Sequence, residues 1–557
     1  MRNKLKLTVL AMWYLLSANT TFAYTHADTL RGSNGRGRAW WDVMKYDLSV
    51  MIDTEKHELN GRNKITFNVT EAPADSMQID LQDSLKIFRV ECEGRNLEFE
   101  REGNAWWIKN RFHEWMPGSS HTITVVYAGQ PRKAVNPPWD GGFTWTHDSL
   151  GNSWIAVSCQ GLGASAWWPC KDAQWDEPDS GMTMTFSMTY FYKPGYKRAN
   201  DRLSIISNGR QEIDTAKGDP DDDEDIFWTW HVVNPINNYD MTLYIGDYVH
   251  WHDTLMGEKG KLDLDYWVLR YNEARARKQF AVVKQMIHCF EYWMGPYPFY
   301  EDGYKLVEAP YLGMEHQSAV AYGNKFQMGY RGFDRSATGY GMAWDYIIVH
   351  ESGHEWFGNN VTAKDEADNW IHEGITSYSE GLFTECLMNK EKGKKYTRGL
   401  WSHIENEQPV IGPYSMNKEG EDIYEKGAAI MYMIRELTND DEKFRTMLRG
   451  LGKEFYHQTV TTAQVEQYIA RQTGLDLTAF FEQYLRQAKP PQLEYVIKDN
   501  ELSFHFNNAV PGFSIPVTVT GDDKTAEIHP TAGWQKVKWT GGYNVKFSHD
   551  FLMKVKS

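Results

Sequence analysis

The sequence predicts a multidomain α+β protein: an all-β region, then a largely helical region, then a short β region. Three observations lead there. Apolar residues recur at every second position from about Tyr46 to His250. The spacing lengthens to that of helices between Tyr271 and Ala488, and alternation returns after Pro490-Pro491. At 557 residues the chain is also too long for a single hydrophobic core.

Residues 1–23 read as a secretory signal peptide. Arg2, Lys4 and Lys6 give a basic start, Leu7 to Leu16 an apolar run, and Thr21-Phe22-Ala23 a small-x-small cleavage site. The apolar run is shorter than the ~20 residues of a spanning helix. Nor is any later segment long and apolar enough to span a bilayer, so the expectation is an exported protein, periplasmic or secreted, without a stable membrane span. Residues 24–45 carry Arg31-Gly32-Ser33-Asn34-Gly35-Arg36-Gly37-Arg38 and are expected to be flexible.

Residues 46–255 form the expected all-β domain. Leu48, Val50 and Ile52 alternate, as do Ile65, Phe67 and Val69, and Pro220-Asp221-Asp222-Asp223 marks a turn. Residues 256–490 form the next domain. Ala274 to Trp293 places Phe280, Val283, Ile287 and Phe290 on one helical face and stops at the breaker Gly295-Pro296-Tyr297-Pro298. Residues 491–557 form a small β domain of roughly six or seven strands, with Phe513, Ile515, Val517 and Val519 alternating.

Composition narrows the function. Hydrophobic residues make up 41% and charged residues 24%, as in ordinary globular proteins. The net charge of -16 repels phosphate backbones, so nucleic acid is not an expected partner. The five cysteines are scattered, form no CxxC pair, and read as buried or free thiols rather than a disulfide framework.

The chemistry centres on His350-Glu351-Ser352-Gly353-His354. Residues four apart share a helix face, so both imidazoles can point at one ion, while Glu351 can act on a nearby water as general base. Ile347, Ile348 and Val349 would seat this helix in a core. A catalytic zinc takes three protein ligands, so a third is needed. Eighteen residues separate Glu373 from His354, enough for one helix to end and another to return, and His372 beside it is a rival.

The stretch from His350 to Thr362, followed by Trp370 to Gly374, resembles the M1 zinc aminopeptidases, whose signature is HExxH, eighteen residues, then E. Gly313-Met314-Glu315-His316 is similar to the family's GxMEN exopeptidase motif. Cys159-Gln160-Gly161, Trp168-Pro169-Cys170-Lys171-Asp172, Gly295-Pro296-Tyr297-Pro298-Phe299 and Tyr424-Glu425-Lys426-Gly427-Ala428 resemble further family segments, in order, from about Tyr46 to Tyr495. While the alternation after Pro491 reads as a small β-sandwich-like end, the resemblance implies a saddle-shaped first domain and a thermolysin-like α/β catalytic domain. It also implies one zinc ion held by His350, His354 and Glu373, with Glu373 favoured over His372 on this ground. Glu351 would be the base and later proton shuttle, and Tyr424 would hydrogen-bond the oxyanion. Glu315 would pair with the free α-ammonium of a peptide and set its first bond over the metal, with the Gln160 amide oxygen beside it. Gly313 and Met314 would run along the substrate as an edge. Two departures stand out: His316 where the family has Asn, and His372 where Asn is common.

These readings imply an aminopeptidase acting on peptides with a free N-terminus. An endopeptidase of the thermolysin kind and a non-catalytic peptide binder are the alternatives. An epoxide hydrolase activity, known in one branch of the family, is not demanded by any residue here. Only 66 residues follow Pro491, too few for the large helical domain that caps the cleft in many family members, so an open cleft or one closed by a partner subunit is expected.

Overall fold

A computed structural model describes residues 24–110, 115–188, 202–212 and 227–556; the expected signal peptide lies outside them. The first domain is built on an eight-stranded sheet. Its strand Trp41–Asp53 pairs antiparallel with Glu58–Val69 and parallel with Met182–Met188. The period-two pattern acts as expected: Leu59, Ile65, Phe67 and Val69 face inward and are fully buried. A four-stranded and a three-stranded sheet complete this β-rich region. Its core reaches Val307, Tyr311 and Met314, so the domain packs onto the sheet of the next domain.

Two expectations about this half need correction. Residues 24–45 are structured. A capping box between Thr25 and Asp28 starts helix α1, His26–Gly32. Arg38 is fully buried and ion-paired with Asp80, and Trp40 and Trp41 enter the core. A run of Gly and Arg looks disordered until its charge finds a buried partner. The domain boundary also shifts. Tyr248–Gly257 pairs with Gly260–Leu269 in the five-stranded sheet of the second domain, so that sheet begins inside the stretch assigned to the first domain.

Helix α2, Val283–Met294, ends at Gly295 with φ 98°, as the breaker implies. Helices α3 (Tyr346–Gly353) and α4 (Trp370–Leu387) carry His350, Glu351 and Glu373, His354 caps the end of α3, and Tyr424 stands at the start of α5 (Glu425–Thr438). Gln492 to Lys556 supplies seven strands in a four-stranded and a three-stranded sheet. Leu493, Phe504, Val517 and Val519 of this part share one core with helices α2 to α5. Cys289 of α2 and Cys386 of α4 form a disulfide, against the expectation of unpaired thiols, because packing sets their Cα atoms 6.1 Å apart. Cys92, Cys159 and Cys170 are free and buried. No helix among the described residues is long and apolar enough to cross a membrane.

Candidate metal centre and substrate cleft

Asp345 caps α3 by accepting from the Ile347 N–H, and Ile347, Ile348 and Val349 anchor the helix in the core. That orientation turns His350 and His354 the same way, with their Nε2 atoms 3.3 Å apart. Helix α4 can lie close because Gly353 has no side chain: a Cβ there would stand 2.8 Å from Ser379 Oγ. Glu373, in the first turn of α4, brings Oε2 to 3.2 Å from His354 Nε2 and 3.5 Å from His350 Nε2. Tetrahedral zinc with bonds of ~2.0–2.1 Å separates its donors by about 3.3–3.4 Å, which this triangle matches.

The remaining atoms of the three side chains support the fit. His354 Nδ1 meets the Phe357 carbonyl at 3.1 Å and so carries the proton, leaving Nε2 with a free lone pair. His350 Nδ1 meets Glu380 Oε1 at 2.8 Å, and Tyr396 donates to the other Glu380 oxygen at 2.7 Å. A carboxylate behind a histidine is the usual support of a metal ligand. Glu373 Oε1 accepts from Tyr424 (2.9 Å) and from Gln160 Nε2 (2.8 Å), whereas Oε2 is buried without a hydrogen-bond donor. A buried carboxylate oxygen between two imidazole lone pairs is a cation site by its chemistry. His372, the rival ligand, is excluded: its Nε2 accepts from the Ala363 N–H at 2.6 Å.

Glu351 lies on α3 beside these donors, and burial pushes its carboxyl up to about 7. Gly313 is glycine for a spatial reason: a Cβ there would be 2.6 Å from Glu351 Oε1 and 2.8 Å from Ile347. Gly313–Met314 is the outermost strand of the five-stranded sheet, paired on one side only, with Val320–Tyr322, which suits the expected substrate edge. Glu315 is 2% exposed, and its Oε1 has no partner. Asn359 fixes its backbone by donating to the Glu315 carbonyl at 2.8 Å. His316 is fully buried, bonded through Nδ1 to the Tyr244 hydroxyl, and burial pushes it down to about 3, so it stays neutral.

All nine expected site residues line one cleft of about 950 Å³. Gln160 is placed there differently from the expectation, with its amide nitrogen on Glu373. Sequence reasoning missed Glu380 and Arg335. Glu380 follows Glu373 by seven positions, two turns along the same face, which was a readable signal. Arg335 donates to Tyr346 and pairs with Glu425, tying the loop before α3 to the start of α5. A second hollow of about 870 Å³, between Tyr292, Arg449 and Tyr456, contains none of these groups.

Residues 279–484 match the family model of the Peptidase family M1 domain. A probable aminopeptidase 1 of Sulfurisphaera tokodaii is 20% identical over 83% of this chain and 55% of its own length. Leukotriene A-4 hydrolase of Xenopus laevis is 24% identical over 77% of this chain and 68% of its own. The chain thus spans about half to two thirds of the length of these curated relatives. The fold is similar to that of an M1 zinc metallopeptidase from Deinococcus radiodurans, with a TM-score of 0.64 and 18% identity over 82% of this chain and 95% of that one. The stretch that is similar to the Peptidase family M1 domain, residues 279–484, holds His350, Glu351, His354, Glu373 and Tyr424.

Proposed function

We propose that the protein is an exported zinc aminopeptidase that removes the N-terminal residue from peptides with a free N-terminus. The observation that carries this reading is the unpartnered, buried Glu315 oxygen in the same cleft as the triangle of His350, His354 and Glu373. A carboxylate kept out of water without a donor calls for a cationic ligand, and a peptide α-ammonium supplies one.

His350, His354 and Glu373 would hold one zinc ion, which when bound supplies a Lewis acid for the scissile carbonyl and an acidified water. Glu315 docks the ammonium and thereby selects the first peptide bond. An internal segment offers no charge there and leaves Glu315 unpaired, which argues against an endopeptidase. Glu351, with an affinity for protons near neutrality, takes a proton from water and returns it to the leaving amine. A mere peptide binder has no use for such a base. Burial, with Glu373 beside it, holds the Tyr424 phenol well above its ordinary pKa, so it remains a donor as negative charge builds on the carbonyl oxygen. The strand Gly313–Met314 has an open side to which an extended peptide can add. The Deinococcus neighbour, bound to a Tyr-Ser-Ala substrate, supports peptides as the substrate class. Export is supported by the pattern of residues 1–23 and by the Cys289–Cys386 bond, which suits an oxidising compartment.

The test uses aminoacyl fluorophores and matched N-acetylated versions, with and without a chelator. Hydrolysis of free-amine substrates alone, lost with chelator and restored by zinc, is expected. Equal cleavage of the blocked set would remove Glu315 as amine anchor and favour an endopeptidase. The Glu351→Gln variant should keep its zinc and lose kcat by about a thousandfold or more.

A further inference from the structure

We infer that helix α1 braces the substrate cleft from behind its lining, and that Arg31 is a positioning residue for Gln160. This inference rests on the aminopeptidase reading and extends it to a segment whose sequence suggests a flexible leader.

Two buried side chains fasten the end of α1. Arg38 Nη1 donates to the Arg31 carbonyl at 2.6 Å, and Gln78 Nε2 donates to the Leu30 carbonyl at 3.0 Å. Arg31 is thereby aimed across the molecule, and its Nη2 donates to the Gly161 carbonyl at 2.7 Å. Gly161 belongs to a tight turn closed by the Leu162 N–H on the Gln160 carbonyl and the Gly163 N–H on the Cys159 carbonyl, both at 2.7 Å. Gly161 and Gly163 have φ of 64° and 89°, a conformation that side chains resist and that the turn needs.

The Gly161 carbonyl has one further donor, Asn417 Nδ2, at 3.3 Å. Gly32 brings the helix against that same loop: a Cβ on it would lie 2.4 Å from the Asn417 backbone nitrogen. Three segments distant in sequence therefore meet at one carbonyl. The residue before it is Gln160, whose amide holds Glu373 Oε1 at 2.8 Å. Arg31 does not line the cleft. It fixes the turn that aims Gln160 at Glu373. A charged donor on a carbonyl makes one of the stronger hydrogen bonds, so its removal should loosen that turn.

The test compares Arg31→Met, which keeps the apolar stem, with Arg31→Lys, which keeps one charged donor, both in the full zinc-loaded chain. For an aminoacyl fluorophore, Arg31→Met is expected to raise KM about tenfold with kcat within about twofold, and Arg31→Lys to restore most of the loss. Independently of activity, the Leu162 and Gly163 amides should exchange hydrogen faster in Arg31→Met. An unchanged KM with unchanged exchange overturns the inference. So does a joint fall of kcat and melting temperature that lysine does not rescue, which would make Arg31 plain structural support. Wild-type enzyme inert toward every free-amine substrate would instead bring down the aminopeptidase reading, and the amide exchange would still judge the turn.

Discussion

Gly374 and Gly427 lie back to back: a Cβ on Gly374 would stand 2.6 Å from the Gly427 Cα, and one on Gly427 2.5 Å from the Gly374 Cα. Helices α4 and α5 touch there without side chains. One residue before Gly374 is Glu373, and three before Gly427 is Tyr424, so this contact sets the 2.9 Å hydrogen bond between them. Gly427→Ala should push the helices apart at a cost of about 1–3 kcal/mol. Under the proposed function this displaces Tyr424 from the substrate carbonyl, lowering kcat by about 10–100-fold. Steady-state kinetics beside Tyr424→Phe, expected to lose about 100–1000-fold, checks this. Wild-type kcat in the alanine variant would show that the contact does not position the phenol.

Glu380 is the support that the sequence reading passed over. It accepts from both His350 Nδ1 and Tyr396 and is fully buried. Its carboxylate holds the ring so that Nε2 faces Glu373. Glu380→Gln should weaken zinc binding by about 10–100-fold, read by competition with a chromogenic chelator. An unchanged affinity would show that Tyr346, stacked on His350 at 5.1 Å between ring centroids, orients the imidazole alone.

The legible parts of this protein were those governed by local spacing. His350 and His354 follow from helical phase, and the alternating strands of the first domain from the pleat. Glu373 is different. By residue type His372 was an equal candidate, and only the resemblance favoured its neighbour. The helix phase that turns His372 onto the Ala363 N–H depends on how α4 packs, which a single sequence does not display. The same holds for Arg38, whose partner Asp80 sits in a distant strand. Cys289 and Cys386 pair because α2 and α4 cross, and the strand at Tyr248 has the pattern of its predecessors but joins another sheet. Apart from Glu380, whose helical spacing from Glu373 was readable, what was missed is tertiary.

The Cys289–Cys386 bond closes a loop across a sequence separation of 97 and pins the far end of α4. Thirteen residues of helix, about 20 Å, separate Cys386 from Glu373. The bond should therefore matter for stability more than for chemistry. Cys386→Ser should cost about 2–5 kcal/mol in denaturant melts, with kcat at 25 °C retained within about twofold. A reductant should lower the wild-type midpoint and leave the variant's unchanged. Loss of activity in the variant at temperatures where it remains folded would tie the disulfide to the site itself.

Glu308 offers a test of how burial shapes the pH response away from the metal ligands. It is 6% exposed at the end of strand Tyr304–Glu308 and accepts from the Leu269 N–H at 2.9 Å and from Asn272 at 2.7 Å. Burial nonetheless raises its carboxyl from 4.5 to about 7. The folded chain thus holds a proton that the unfolded chain has released, so this group's stabilising share is complete below about pH 4.5 and is lost as pH rises through 7. The full difference is worth about 3 kcal/mol. Glu308→Gln cannot titrate. Urea melts at pH 5 and pH 8, with zinc chelated throughout so that metal linkage does not enter, should show wild type losing about 2–3 kcal/mol more than the variant between the two. Burial raises Glu177 and Glu366 to about 7 and about 8, so the variant should keep part of the same downward slope. Equal losses in the two proteins would mean that the bonds from Leu269 and Asn272 hold the Glu308 carboxylate charged despite its burial.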